Sequence, residues 1–341
     1  MHLQDYAPRP AHIKWLLDSD PAIRWQVMRD LTGEAPDAIA AERSRVATEG
    51  WGAQLLAFQS PAGHWGGSPR GWRDDLPKED RGLLITLYSL VVLMDLGLDP
   101  ACKQARKMID RVDERLVFKR LNNRPFLHGE TEPCINGRIL GIGAYFKVPN
   151  DALANQLLGE QLEDGGWNCE APKSQHSSFH TTICVLEGLL EYERARRKSA
   201  CVTKSDTRSV TKSVTRARKR GENYLLERGM FRSLQTGEVI HKRWLRFSFP
   251  TFWHYDVLRG LDYLRNAGIT GNAGIKPDSR IREAIEIVIE RGHQNGRWPL
   301  NLLHPEHIPL KMETAVGRAS RWNTLRALRV LRWYNNSMPQ L

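Results

Sequence analysis

Thiol and imidazole groups gather in one short stretch of this sequence. Residues 161–184 read QLEDGGWNCEAPKSQHSSFHTTIC, which sets Cys169, His176 and His180 between a Gly-Trp turn and an apolar helical run that contains Cys184. Thiolate and imidazole are the ligands that tetrahedral zinc prefers, and His176, four residues before His180, suits a cavity-facing group or a partner that orients a ligand. The other reading is architectural: a buried cysteine is a small apolar residue, and the histidines start a helix. A second stretch, FPTFWHYDVLRGL at 249–261, carries Trp253, His254, Tyr255 and Asp256 at the start of a predicted helix. His254, Tyr255, Asp256 and His176 are the candidates for acid–base work. The aromatic rings suit an apolar or cationic ligand, or simply the core. Arg243, Arg318 and Arg321 lie close to predicted helix starts, where a guanidinium and a helix N-terminus together suit an anion; surface ion pairing is the alternative. His64 lies between a turn glycine and Trp65 and serves either the turn or chemistry.

The elements that must position these groups repeat along the chain. QSPAGHW at 59–65 and QLEDGGW at 161–167 both fit Gln-x-x-x-Gly-x-Trp, and RGHQNGRWPL at 291–300 keeps Gly296 and Trp298 but has Gly292 in place of the Gln. After each copy comes an apolar helical pattern (RGLLITLYSLVVLMDLGL, FHTTICVLEGLLEY, SRWNTLRALRVLRWY), and before it another helical segment. With two weaker units that lack the Trp, around NNRPFLHGETEPCINGRILGIGAYF and ENYLLERGMFRS to FPTFWHYDVLRGLDYL, the period predicts about five helical pairs. Period-two strand patterns are absent, so the expected class is all-α. The first 50 or so residues read as a helical N-terminal extension to a domain spanning 51–341.

Composition narrows the function classes. The apolar fraction of 41% and the 11 Trp residues support a substantial core. The greasiest run, LLITLYSLVVLMDLGL at 83–98, is short for a bilayer and carries Asp95, so it reads as a buried helix. The N-terminus lacks a secretory pattern, which makes the cytoplasm the expected location. Five widely spaced cysteines are an odd number and argue for reduced thiols. The net charge of +11 is concentrated: residues 194–220 hold eleven Lys/Arg against one acid, Asp206, a net of +10 that leaves +1 elsewhere. That segment reads as a solvated, flexible insertion. Peripheral contact with an anionic membrane is the alternative use; nucleic-acid binding is not expected, because no aromatics are interleaved with the charges.

The Gln-x-x-x-Gly-x-Trp turns between paired helices resemble those of the α/α-toroid proteins, the squalene and oxidosqualene cyclases and the β subunits of protein prenyltransferases, over roughly residues 50–335. At the level of the whole chain the sequence is most similar to bacterial proteins loosely labelled squalene-cyclase-like or prenyltransferase-like. The resemblance implies an α/α toroid in which inner helices surround a central cavity for an apolar, isoprenoid-like substrate. The Asp-x-Asp-Asp acid of the protonating cyclases does not occur here; the nearest acids are Asp74 and Asp75, in an Arg/Lys-rich loop. The prenyltransferase branch implies more. There zinc is held by Asp-x-Cys at the start of one inner helix and by a His at the start of the next. Glu132-x-Cys134 and His180 take those positions here, with Cys169 as a further thiol, a set that suits Zn2+ with Glu132 or water as fourth ligand. The family's diphosphate-binding Arg and Lys fall at Phe126 and Gly129, a departure that counts against protein prenylation. Two function classes follow: a zinc-dependent transferase, lyase or isomerase acting on an apolar substrate, and a non-catalytic toroid module that binds a ligand or partner.

Overall fold

The computed structural model describes residues 8–66, 77–199, 206–268, 277–293, 295–312 and 315–337. Asp74, Asp75 and Cys201 lie outside them. Three helices come first: α1 (Pro10–Leu17), α2 (Pro21–Val27), which runs on into a π-helical turn at Met28–Thr32, and α3 (Pro36–Ser44). Each starts on proline, whose fixed φ suits a first helical turn and whose missing N–H is not needed there. The helices beyond residue 50 follow in five pairs: α4 (Gly50–Ala57) and α5 (Lys78–Leu96); α6 (Lys103–Arg115) and α7 (Pro133–Tyr145); α8 (Asp151–Gly159) and α9 (Phe179–Ser199); α10 (Asp206–Glu227) and α11 (Val257–Gly268); α12 (Arg282–Glu290) and α13 (Arg321–Ser337). Among the described residues the strands are limited to β1 (Val117–Phe118) and β2 (Arg124–Pro125), a short antiparallel pair between α6 and α7. The protein is thus mostly helical, as the periodicity predicts. No helix is long and apolar enough to cross a membrane among the described residues.

The repeated turn has one hydrogen-bond pattern in all three copies. Trp65, Trp167 and Trp298 are fully buried. Their indole N–H groups donate to Leu55 O (2.6 Å), Leu157 O (2.7 Å) and Val288 O (2.7 Å), in the helix just ended. Their backbone N–H groups donate to Thr86 Oγ1 (3.1 Å), Thr182 Oγ1 (3.0 Å) and Thr324 Oγ1 (2.9 Å), in the helix about to follow. Gln59 Nε2 donates to both Gly63 O and Met108 O at 3.0 Å, and Gln161 Nε2 to Gly165 O (2.7 Å) and Ala217 O (2.8 Å), so each Gln ties its turn to a later helix, α6 or α10. The turn glycine must be glycine twice over. Its φ is positive (95°, 97° and 73° at Gly63, Gly165 and Gly296), and a Cβ would fall 2.6 Å from Arg111 O, 2.7 Å from Arg220 O and 2.3 Å from the His12 ring. In the third copy, which has no Gln, α1 supplies the partner: His12 Nε2 lies 2.7 Å from Asn295 O.

That contact is one of several between the first helices and the last. The chain folds as two compact units, one made of residues 1–51, 225–304 and 311–341, the other of 52–224 and 305–310. The first helices therefore belong to the same unit as the last. Inside that unit a buried ionic cluster ties them together. Asp30, in the middle of the π-helical turn, pairs with Arg265 of α11 (3.0 Å) and Arg329 of α13 (3.5 Å). Arg329 also pairs with Asp262 of α11 and donates to Gln26 Oε1 (2.9 Å). Burial would push the Asp30 carboxyl up, but a hydrogen bond from Arg29 and the charges of Arg329 and Arg265 outweigh it and hold the group well below the usual carboxylate range.

The described part of the basic segment 194–220 is helical rather than the flexible insertion that its charge suggested. It continues α9 to Ser199 and then forms most of α10. An apolar stripe runs along α10 at helical spacing through buried Val214, Ala217 and Gly221, and a Cβ on Gly221 would meet Trp167 Cζ3 at 2.9 Å. The stripe consists of small residues scattered among Lys, Arg, Ser and Thr, so it barely registers by hydropathy. Buried Arg218 pairs with Glu193 of α9 (2.9 Å) and with Glu222.

In the second unit α7 and α9 cross in close contact. A Cβ on Gly188 would lie 2.0 Å from Gly137 O, and one on Gly137 would lie 2.6 Å from Cys184 O. We expect Gly188→Ala to destabilise the protein by about 1–3 kcal/mol, because the overpacked crossing outweighs the gain in helix propensity; a urea midpoint that rises or stays put would contradict the crossing. In the first unit, Arg329→Met leaves Asp262 and Asp30 short of a buried partner and is expected to cost about 3–5 kcal/mol, whereas Arg45→Ala, at an exposed pair, should leave the thermal midpoint unchanged. Because the Asp30 pKa is depressed, its contribution is present above the ordinary carboxylate pKa and is lost as pH falls through the lower folded value. Acid titration should therefore shift the midpoint of the parent protein more than that of Asp30→Asn.

Candidate metal centre

The segment leading into α7 is set by a buried carboxylate. Glu130 is 1% exposed. Arg120 donates to its Oε2 (2.6 Å), the Glu132 backbone N–H donates to its Oε1 (2.6 Å), and its own N–H donates to Asn136 Oδ1 (2.6 Å). These bonds fix Glu132 as the N-cap residue of α7, Pro133 as its first residue and Cys134 in the first turn. Opposite stands the loop between the Trp167 turn and α9. Asn168 Nδ2 donates to His176 O (2.7 Å), the Ser177 N–H to Asp164 Oδ2 (3.0 Å), and Tyr224 Oη to Ser177 O (2.7 Å). The loop is thus stitched to itself, to its turn and to α10, with Cys169 just after the turn. Since α7 and α9 are in glycine contact, these two helix-start regions come together.

The ligand atoms of Glu132, Cys134 and Cys169 all lie within 4.8 Å of one another. Cys134 Sγ lies 3.6 Å from Glu132 Oε2, and Cys169 Sγ is 3.4 Å from Thr181 Oγ1 on α9. The hydrogen bond between the two thiols pushes their pKa values apart. Cys134, also raised by burial, lies well above the usual thiol range, and Cys169, which accepts from Cys134 and Thr181, lies below it. Ligands at about 2.3 Å from a tetrahedral zinc stand about 3.8 Å apart, so three ligand atoms within 4.8 Å of one another can converge on one ion with a small closing movement. The donor set therefore fits zinc, with three protein ligands and a fourth position to fill.

The remaining candidates are distributed as follows. His180, expected as a ligand, is the second residue of α9, half-buried, and is not a member of the cluster. His176 is exposed in the loop, where its backbone carbonyl accepts from Asn168 and from Ser174 Oγ (3.1 Å). Tyr255 and Asp256 are committed to the core of the other unit. The Tyr255 hydroxyl donates to Met230 O (2.7 Å), and Asp256 caps α11 by accepting from the Arg259 N–H (2.7 Å). Burial raises the Asp256 carboxyl, against the pull of Arg326 and that N–H. His254 stacks on His304 with centroids 3.7 Å apart, and Ser248 Oγ lies 2.8 Å from His304 Nε2. Arg321 donates to Trp15 O (3.4 Å) and Asp18 O (3.0 Å), closing the C-terminal end of α1 rather than presenting itself to an anion. Glu130, Asn136 and Thr181 were not anticipated as supports of the site. Their one sequence signal is position: an acid two residues ahead of a Glu-Pro-Cys helix start, and a hydroxyl next to His180.

No family model matches the chain, and no curated protein or solved structure is significantly similar to it.

In metal-free protein we expect iodoacetamide to label Cys169 well before Cys134, with labelling already near its plateau at a pH below the ordinary thiol pKa. Thr181→Val should slow it by removing a bond to the thiolate. Equal rates at the two cysteines, resolved by peptide mapping, would contradict the hydrogen-bond arrangement.

Proposed function

We propose that this chain is an α/α toroid that holds zinc through Glu132, Cys134 and Cys169 and uses it on an apolar, isoprenoid-like substrate. The observation that carries the reading is the convergence of two thiols and a carboxylate from two successive helical pairs on one point at the starts of α7 and α9. The five consecutive helix pairs and the shared bonding of the three turns support the toroid. Glu132, Cys134 and Cys169 would hold the zinc, which when bound would supply a Lewis acid able to lower the pKa of a substrate thiol or a water molecule. The protein's own part is to fix the thiolates: Thr181 orients Cys169, and Glu130 with Arg120 and Asn136 orients the Glu132–Cys134 segment.

Phe126 and Gly129 bear on the substrate. Phe126 is buried and stacked on Phe118 (centroids 5.5 Å apart), and Gly129 has no side chain, so neither position supplies a cation to a diphosphate. The exposed Lys212, Arg216 and Lys219 of α10 form a basic face suited to anionic lipid, a surface from which an apolar substrate would be taken up.

The test is metal content. Protein purified without chelator should carry near one zinc per chain, and cobalt substitution should give the thiolate-to-metal absorption of a tetrahedral site. Cys134→Ala and Cys169→Ala should each remove the metal, Thr181→Val should weaken binding by about 10–100-fold, and His180→Ala and Cys184→Ala should retain it. Full zinc retention in Cys169→Ala would refute the site.

A further inference from the structure

Two thiols within ligand distance of one metal are also within reach of one another, and their access to solvent differs. Cys134 is 9% exposed in the first turn of α7, while Cys169 is half-exposed on a loop. Their sulfurs lie within 4.8 Å, and closing that gap to the roughly 2.05 Å of a disulfide needs movement on the Cys169 side, where the residue lies in a turn rather than a helix. Cys184 is fully buried on α9, and Cys102 caps α6 by accepting from the Ala105 N–H (3.4 Å); neither belongs to the cluster.

We propose that Cys134 and Cys169 form a peroxide-sensitive modification site in which a reversible disulfide replaces metal binding. The release of metal rests on the zinc reading above; the disulfide does not. In the first step the Cys169 thiolate attacks the peroxide: an S–O bond forms, the O–O bond breaks, and the departing oxygen leaves as water or an alcohol after taking a proton. In the second step Cys134 Sγ attacks the sulfenic sulfur: the S–S bond forms, the S–O bond breaks, and water leaves with the Cys134 proton. Two thiols lose two electrons in all, and one peroxide is reduced by two. The disulfide removes both sulfur ligands, leaving Glu132 alone, which does not retain zinc. Access selects Cys169 as the attacked thiol, and proximity selects Cys134 as the resolving one. A peroxide, including the lipid hydroperoxides that accompany apolar membrane substrates, would thereby turn the site off, and a dithiol would restore it.

The experiment treats full-length zinc-loaded protein with hydrogen peroxide and follows three readouts: free thiols, zinc released to a chromogenic chelator, and the peptide map. The expected result is loss of two of the five thiols, a crosslinked peptide joining Cys134 to Cys169, zinc release in step with the crosslink, and recovery of all three on adding dithiothreitol. Cys134→Ser should abolish the crosslink and let Cys169 proceed to the sulfinic acid; Cys102→Ser should change nothing. Protein that purifies without zinc yet forms the crosslink would defeat the zinc reading and sustain the disulfide. Zinc-loaded protein that loses metal to peroxide while only single-cysteine adducts appear would overturn the disulfide.

Discussion

A buried indole N–H has to find an acceptor, and that requirement organises the repeated units of this protein. Each turn tryptophan meets it by donating ten residues back, to a carbonyl near the end of the helix just completed. Once the ring is fixed there, its backbone N–H is left pointing at the next helix, where a threonine hydroxyl accepts it. An unpaired buried donor costs about 1–3 kcal/mol, so both bonds constrain where the two helices of a pair begin and end. The turn is therefore a connector of defined length and direction rather than a flexible link. The third copy shows which part is indispensable: it has lost the glutamine but keeps both tryptophan bonds.

The Glu132–Cys134–Cys169 cluster inherits its geometry from that connector and from the α7–α9 crossing. The Trp167 turn delivers Cys169 next to the first turn of α9, and glycine backbones in contact bring α7 close enough for Cys134 to reach it. The meeting of the two thiols is thus a tertiary event, although each is held locally. What the local sequence does supply is polarity: Glu130 is buried with a full set of partners, so the segment before α7 is held by directional bonds instead of by packing. Directional bonds specify an orientation more sharply than apolar contacts of similar strength, which suits a segment that must present two donors to one point.

Much of this was legible in the sequence, for a physical reason. Helical periodicity and Gly-Trp turns are local signals, and the helices of the three Gly-Trp units follow them. The set Glu132, Cys134, Cys169 and His180 came from the resemblance to the prenyltransferase zinc pattern; the first three stand together and His180 does not join them. The parts that escaped depend on tertiary context. Threonines 86, 182 and 324 each precede a Leu or Ile in the apolar helix, a pattern present in ITL, TTI and NTL, but it means nothing until the turn N–H is known to need an acceptor. The α10 stripe of Val214, Ala217 and Gly221 is too weakly apolar to stand out among eleven basic residues. The role of the first helices rests on Asp30 meeting Arg265 and Arg329, some 235 to 299 positions away, and no periodicity reports an ion pair of that separation. Tyr255 and Asp256 looked chemical because polar side chains at a helix start often are; here a cap and a hydroxyl bond account for them.

The sharing of one unit by segments far apart in sequence has a consequence for the order of folding. Gln26 and Asp30 meet Arg329 across separations of 303 and 299 positions. Closing so long a loop costs chain entropy before the ion pairs can repay it, whereas the Gly137–Gly188 crossing joins helices about 50 positions apart. The unit of residues 52–224 and 305–310 is therefore the one expected to condense first, and the unit whose contacts span the chain the one to close last.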